Sequence, residues 1–169
     1  VVFEGLPEVF CYGADFTAYG DGQREDEDGG EGEYDPSPLY DLWLRMASGP
    51  YITIAHVRGK ANAGGVGFVA ASDIVIADPT AAFSLSELLF GLYPAMVMPF
   101  LVRRIGYQRA NYMTLMTKAI NARQAADWGL ADACAERSGA LVSQHLSRLS
   151  KLPRDGIARY KRFMNSQIE

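Results

Sequence analysis

The chain has 169 residues, 49% of them hydrophobic, and this size and composition predict one globular domain or most of one. No run reaches the ~18 apolar residues of a membrane span, so membrane contact is not expected. The two cysteines, Cys11 and Cys134, are too few for a disulfide framework, which favours a reducing, cytoplasmic location.

The net charge of -4 is unevenly distributed along the chain. Residues 21–35 hold eight acids and one base, whereas from Leu101 onward there are twelve bases and five acids. A basic C-terminal third favours an anionic ligand or an acidic partner, although an ordinary solvated helix face explains it as well. It lacks the interleaved aromatic and basic residues of a nucleic-acid groove, so no nucleic-acid partner is expected.

The N-terminal part is predicted to contain a strand, a loop and a helix. Residues 1–3 resemble a strand already in progress and lack an initial methionine, so we expect the natural polypeptide to extend upstream. The acidic, glycine-rich residues 21–38 predict a disordered loop, either a flexible cover at a pocket mouth or a tolerated insertion. Residues 39–47 carry apolar side chains at the i, i+3, i+4, i+7 spacing of a helix.

A glycine-rich turn follows the β-branched strand predicted at residues 51–57, and a small, apolar helix is predicted from Phe68. Gly64, Gly65 and Gly67 allow a tight turn and close approach of another group to the backbone. The first N–H groups of a helix lack internal partners, so they can bind an anion or a developing oxyanion. Simple close packing of the helix on a sheet is the alternative explanation.

The remaining elements indicate an α/β fold with a helical C-terminal section. Glu87 is the only charge between Asp78 and Arg103, so its burial should raise its pKa into the range useful for proton transfer. Capping of a helix N-terminus is the alternative role for this carboxylate. The predicted strands span residues 73–77 and 81–84, and the predicted helices span 94–105, 108–118, 122–128, 138–149 and 154–165.

Five sequence motifs stand out along the chain. They are residues 10–15 (FCYGAD), 63–74 (AGGVGFVAASDI), 83–87 (FSLSE), 91–94 (GLYP) and 121–130 (NARQAADWGL). In order and spacing they resemble the crotonase (enoyl-CoA hydratase/isomerase) superfamily. The resemblance implies a crotonase ββα superhelix over residues 1–100, with the N-terminal part of the fold missing, and a helical trimerisation region over 101–169. A homotrimer, or a hexamer made from two trimers, is implied as well.

Residues 4–11, 39–43 and 84–94 resemble a narrower group, the hydratase-like dehydratases of polyketide β-branching cassettes. The resemblance implies dehydration of a 3-hydroxy-3-methylglutaryl group to a 3-methylglutaconyl group. The substrate would be a thioester on the phosphopantetheine of an acyl carrier protein or on CoA, with no further cofactor and no metal. The alternatives are a crotonase decarboxylase or isomerase and a non-catalytic acyl-carrier-binding homologue.

By motif position, the main-chain N–H groups of Ala14 and Gly64 would form an oxyanion hole for the thioester enolate. Glu87 falls on a glutamate of the family's hydratases and would act as base and then acid. Asp15 is a possible helper. The family's second glutamate is replaced by Gly67, and we hypothesise that this vacancy accommodates a methyl-branched, carboxylate-bearing substrate.

Several other side chains could serve in a site but also have simpler structural explanations. His56 is interpreted as a packed, hydrogen-bonded core histidine, and Cys11 lacks a neighbouring base that would make it a nucleophile. Basic residues of the last helix could contact a phosphopantetheine phosphate or an acidic carrier surface, or could simply be solvated. These are Arg159, Lys161 and Arg162, and the weaker proton-transfer candidates are Tyr12 and Tyr93.

Overall fold

The structure is a computed structural model that describes residues 1–13 and 35–167. The described strands are β1 (Val2–Glu4), β2 (Val9–Cys11), β3 (Ile54–Val57), β4 (Lys60–Asn62), β5 (Ile74–Ala77), β6 (Ala82–Ser84), β7 (Ile120–Asn121) and β8 (Ala133–Cys134). The α-helices are α1 (Ser37–Ser48), α2 (Gly64–Ala71), α3 (Met98–Ile105), α4 (Tyr107–Met116), α5 (Ala122–Trp128), α6 (Ser138–Leu149) and α7 (Arg154–Asn165), and a short 3₁₀-helix spans Glu87–Phe90.

The strands form two four-stranded sheets, A and B, and strands that are consecutive in the sequence belong mostly to different sheets. Sheet A has the order β1-β3-β5-β8 and is parallel throughout, whereas sheet B has the order β2-β4-β6-β7 with only β7 antiparallel. From β1 to β6, successive strands therefore enter A and then B before the next helix, which is the predicted ββα superhelix. Strand β7 then joins B and β8 joins A, with α5 between them. The α/β fold is confirmed, and residues 101–167 contribute a strand to each sheet in addition to their helices.

Helix α2 lies at the centre of the core. It has buried residues on every side, including Val66, Val69, Ala70 and Ala71, as expected for a helix that is apolar all round. On one side of it, Trp43 of α1 is fully buried and packs edge-to-face on Phe68 and Phe100.

Several predicted boundaries differ from the structure: the strand predicted at 51–57 is Ile54–Val57, for example, and the helix predicted at 108–118 is Tyr107–Met116. The predicted loop lies outside the described residues as far as residue 34, but its last two residues belong to α1, where Pro38 suits the first turn. An additional strand, β4, precedes α2, which begins at Gly64 rather than Phe68. Helix α3 begins at Met98 rather than at residue 94, because Pro99 is tolerated in a first turn but not in a helix interior.

Within the described ranges, no helix combines the length and the apolarity needed to cross a membrane.

Lys161 lies inside the protein rather than on the solvated face of α7. Its ammonium donates to the carbonyls of Met46 (2.8 Å) and Tyr51 (2.9 Å) and to Asp73 Oδ2 (2.7 Å), and the residue is 5% exposed. The prediction that Lys161 contacts a phosphate or a carrier protein is therefore wrong. Its neighbours Arg159 and Arg162 are exposed, and for them the two explanations remain open.

We predict that Lys161→Met lowers the free energy of unfolding by about 3–5 kcal/mol, because it leaves the Asp73 carboxylate and two carbonyls without their cation. Urea unfolding measures this change. Arg162→Met, on the exposed face of the same helix, serves as the control and should stay within about 0.5 kcal/mol of the wild type. Equal stabilities of the two variants would contradict the anchoring role of Lys161.

Candidate active site

The N-terminus of α2 begins with an unusual backbone turn at Ala63. This residue has φ 49° and ψ -118°, a conformation that costs a non-glycine residue of order 1–3 kcal/mol. The turn is held by a hydrogen bond from Ala63 N to Ser84 O (3.0 Å) and by one from Val66 N to Ala63 O (2.9 Å). It sets the direction of the Gly64 N–H, the first in a helix whose dipole is positive at this end.

Gly13 packs directly against this helix N-terminus. It has φ +83°, and a Cβ built on it would lie 3.0 Å from Gly64 N and 2.9 Å from Ala63 Cβ. Gly13 must therefore be glycine, both for its conformation and for the close approach. Ala14 and Asp15 lie outside the described residues, so the pairing of the Ala14 N–H with that of Gly64 in an oxyanion hole and the helper role of Asp15 stay predictions.

Glu87 begins the short 3₁₀-helix and is buried, with 6% of its surface exposed. Its Oε2 atom has no hydrogen-bond partner among the described residues. Burial raises the pKa of this carboxyl above its usual value, while the main-chain N–H groups of Glu87 and Ser86 act in the opposite direction. The predicted burial is confirmed, and the pKa shift has the predicted upward direction.

Sheet B brings Glu87 and Gly64 to the same place. Strands β4 and β6 run parallel with Asn62 opposite Ser84, so both chains leave the same edge of the sheet. Gly64 follows Asn62 by two residues and Glu87 follows Ser84 by three. The Asn62 side-chain amide also donates to Ser86 Oγ (2.9 Å). Because Ser86 precedes Glu87, this hydrogen bond holds the Glu87 segment beside the N-terminus of α2.

The space beside Gly67 is filled by the protein itself. A Cβ built on Gly67 would lie 2.3 Å from the nearest atom of the Trp43 ring, so no side chain fits here. The hypothesis that this vacancy accommodates a branched substrate is therefore wrong. The same packing excludes a second carboxylate at residue 67, and Glu87 is the buried acid in the described part of the chain.

The other sequence candidates are spread over the structure. His56 contacts Glu4 Oε1 through Nδ1 (2.5 Å) and Ser138 Oγ through Nε2 (2.9 Å), which confirms a buried, hydrogen-bonded core histidine. Tyr93 is 76% exposed and Tyr12 is also exposed, so neither phenol is held in a buried site.

A cavity of about 720 Å³ lies at the opposite end of α2, between α3 and α7. Its lining contains neither Glu87 nor Gly64, so we do not identify it with the site. Among residues 1–13 and 35–167, no cluster of three or more His, Cys, Asp or Glu side chains could hold a metal ion.

Residues 1–168 match the sequence profile of the enoyl-CoA hydratase/isomerase family, and the chain belongs to this family. It is 60% identical over 166 residues to the bacillaene synthase dehydratase PksH of Bacillus subtilis, covering 98% of this chain and 63% of that protein. The crystal structure of the polyketide biosynthesis enoyl-CoA hydratase pksH from Bacillus subtilis superposes with a TM-score of 0.90 at 59% identity, covering 98% of this chain and 65% of that one.

A mevalonyl-coenzyme A hydratase, SIDH of Beauveria bassiana, is 31% identical over 149 residues, covering 86% of this chain and 53% of that protein. The chain thus spans about half to two thirds of the length of these relatives.

We predict that Gly67→Ala destabilises the fold by about 1–3 kcal/mol, because the added methyl group overlaps the Trp43 ring. This cost outweighs the gain of about 1 kcal/mol that alanine normally brings to a helix. Gly139→Ala in α6 is the matched control, since its Cβ would meet no atom within 4 Å and should be neutral or stabilising. Urea unfolding compares the two, and a fully stable Gly67→Ala would contradict the packing described here.

We predict that Glu87→Gln stabilises the protein at neutral and alkaline pH. Because the folded-state pKa is raised, the contribution of Glu87 to stability is fully present below its unfolded-state pKa. It is lost as the pH rises through the folded-state value. The glutamine variant should not lose stability in this way. The difference in unfolding free energy between Glu87→Gln and the wild type should therefore become smaller as the pH is lowered. Glu136→Gln, an exposed site, controls for the removal of one charge, and parallel pH profiles for wild type and Glu87→Gln would overturn the prediction.

Proposed function

We propose that this protein is a lyase that removes water from a 3-hydroxy-3-methylglutaryl thioester on an acyl carrier protein to give a 3-methylglutaconyl thioester. The observation that carries the proposal is the buried Glu87 carboxyl, whose Oε2 finds no hydrogen-bond partner within residues 1–13 and 35–167, on a segment held beside the N-terminus of α2. This is a proton-transfer group next to a site for a developing oxyanion.

In the proposed reaction, the Gly64 N–H, with the predicted partner N–H of Ala14, stabilises negative charge on the thioester oxygen. Each such donor can contribute about 3 kcal/mol to the transition state. The Glu87 carboxylate takes the proton from the carbon next to the thioester carbonyl. The neutral acid then returns that proton to the departing β-hydroxyl, so a carbon–carbon double bond forms and one water leaves.

A single carboxyl therefore acts first as base and then as acid on one face of the substrate. This follows from the contact between Trp43 and Gly67, which leaves no room for a second carboxylate at residue 67. The raised pKa of Glu87 suits both roles, since an acid–base group works best when its pKa is near the working pH.

The substrate class is supported by the relatives. One is named a dehydratase of bacillaene synthase and another a mevalonyl-CoA hydratase. Mevalonyl and 3-hydroxy-3-methylglutaryl groups both carry a hydroxyl and a methyl group on the β-carbon, so the same elimination applies to both. Delivery by a carrier protein fits the basic C-terminal third, where Arg159 and Arg162 are exposed and could meet a phosphate or an acidic surface.

The assembly proposed is a cytoplasmic homotrimer or a pair of trimers, with residues 101–169 at the subunit contacts. Large apolar side chains that are exposed within this segment support its burial by another subunit. They include Tyr107, Leu115, Met116, Tyr160 and Phe163.

Two other functions use the same features. A decarboxylase or an isomerase needs the same oxyanion hole and one acid–base group, and a non-catalytic homologue would need only thioester binding. The buried carboxyl favours an enzyme over a scaffold, because leaving its Oε2 without a partner among the described residues is costly unless the group serves a purpose.

The test is to incubate the protein with 3-hydroxy-3-methylglutaryl carrier protein and to weigh the product. We expect the acyl group to become lighter by one water, and Glu87→Gln to lower this rate by about 10²–10⁴-fold. Glu136→Gln is the control for loss of an acidic residue and should keep the wild-type rate.

A loss of carbon dioxide instead of water would favour the decarboxylase. An unchanged mass, or a Glu87→Gln variant that is folded and fully active, would exclude the proposed dehydration mechanism.

A further inference from the structure

Asn62 connects three segments that meet at the site. It is the last residue of β4, and its Nδ2 donates to Ser86 Oγ at 2.9 Å and to Tyr12 O at 3.4 Å, while its Oδ1 accepts from Ser84 Oγ at 2.9 Å. Ser86 precedes Glu87, and Tyr12 precedes Gly13. One side chain therefore touches both segments that flank the helix N-terminus.

The chemistry of this contact requires a carboxamide. A primary amide offers two donor hydrogens and one acceptor oxygen, and here all three partners lie within reach. The Tyr12 carbonyl only accepts, so it fixes which end of the amide is nitrogen. A leucine of similar size would pack in the same volume but would make none of these bonds.

The position of the Asn62 amide affects the position of the Glu87 carboxyl. The Ser86 side chain is held by Asn62, and the Ser86 main-chain N–H acts on the Glu87 carboxylate. Asn62 is also two residues before Gly64, across the strained turn at Ala63. A shift of the amide would therefore move the carboxyl relative to the oxyanion site, and misplacement by about 1 Å can cost about 10²-fold in rate.

We propose that Asn62 is a positioning residue, which sets the distance between the Glu87 carboxyl and the N-terminus of α2 by bridging Ser84, Ser86 and the Tyr12 carbonyl. The role in catalysis rests on the proposed function. The coupling between Asn62 and Glu87 does not, and it can be measured without substrate.

The first experiment measures kcat and KM for Asn62→Leu on the substrate of the proposed reaction. We expect kcat to fall by about 10²-fold with KM nearly unchanged, because the variant disturbs alignment and leaves the binding surface in place. Asn121→Ala is the matched control: it removes an asparagine that caps α5 by accepting from Gln124 N (2.9 Å). It should lower stability, as losses of helix caps do, and leave kcat unchanged.

The second experiment uses Asn62→Asp, which keeps the shape and can still accept from both serine hydroxyls. The added negative charge near Glu87 should raise the pKa of its carboxyl. The free energy of unfolding is measured against pH for Asn62→Asp and for the double variant Asn62→Asp/Glu87→Gln. The difference between the two curves reports the shift in the Glu87 pKa in the free protein. In active enzyme, the acid limb of kcat/KM should move to higher pH by the same amount.

These readouts separate the two proposals. If the wild-type protein removes no water, the proposed function fails, while the unfolding experiment still decides whether Asn62 couples to Glu87. The positioning role is overturned if Asn62→Leu keeps the wild-type kcat, or if Asn62→Asp leaves the Glu87-dependent pH midpoint of unfolding unmoved.

Discussion

The contact between the Trp43 ring and Gly67 is the constraint on which the rest of the site depends. Helix α2 is buried on all sides, and it can be so only because its residues are small where neighbouring elements come close. At Gly65 the neighbour is the Cys11 carbonyl, and at Gly67 it is the indole. The same packing that completes the core removes the position at which a second carboxylate would stand. Within residues 1–13 and 35–167, the groups at this place are therefore one buried acid, Glu87, and one helix N-terminus.

The two-sheet superhelix explains how distant residues reach that helix end. Parallel strands β2, β4 and β6 all run towards the same edge of sheet B, so the chain leaves the sheet there at Tyr12, Ala63 and Leu85. Each exit carries one component of the site, and the Asn62 amide lies between them. The register of the strands thus brings Gly64 and Glu87 close together, and the Asn62 side chain would align them.

Much of this arrangement could be predicted from the sequence, because its signals are local. The helices predicted at 122–128, 138–149 and 154–165 have the bounds of α5, α6 and α7, and the isolation of Glu87 in an apolar run indicated its burial. Strands β7 and β8 have two residues each, too few for any periodicity, and exist only because β6 and β5 offer paired edges.

The errors arose where tertiary packing decided the outcome. Nothing near Gly67 in sequence indicates that Trp43, 24 positions earlier, fills its space, and nothing near Lys161 indicates that Asp73 and two carbonyls surround its ammonium. Asn62 offered a faint signal, a lone polar side chain between Ala61 and Ala63 at a strand–helix junction. A polar residue in such an apolar setting indicates hydrogen-bond partners in other segments of the chain.

The strained turn at Ala63 has a consequence for how the proposed activity would be lost. Its backbone conformation is unfavourable in isolation and persists because Ser84 of β6 accepts its N–H. Fraying of the short strand β6 would release the turn, and the Gly64 amide would rotate while the buried helix around it stayed intact. Inactivation by mild denaturant should therefore precede global unfolding, and a bound oxyanion mimic should delay it.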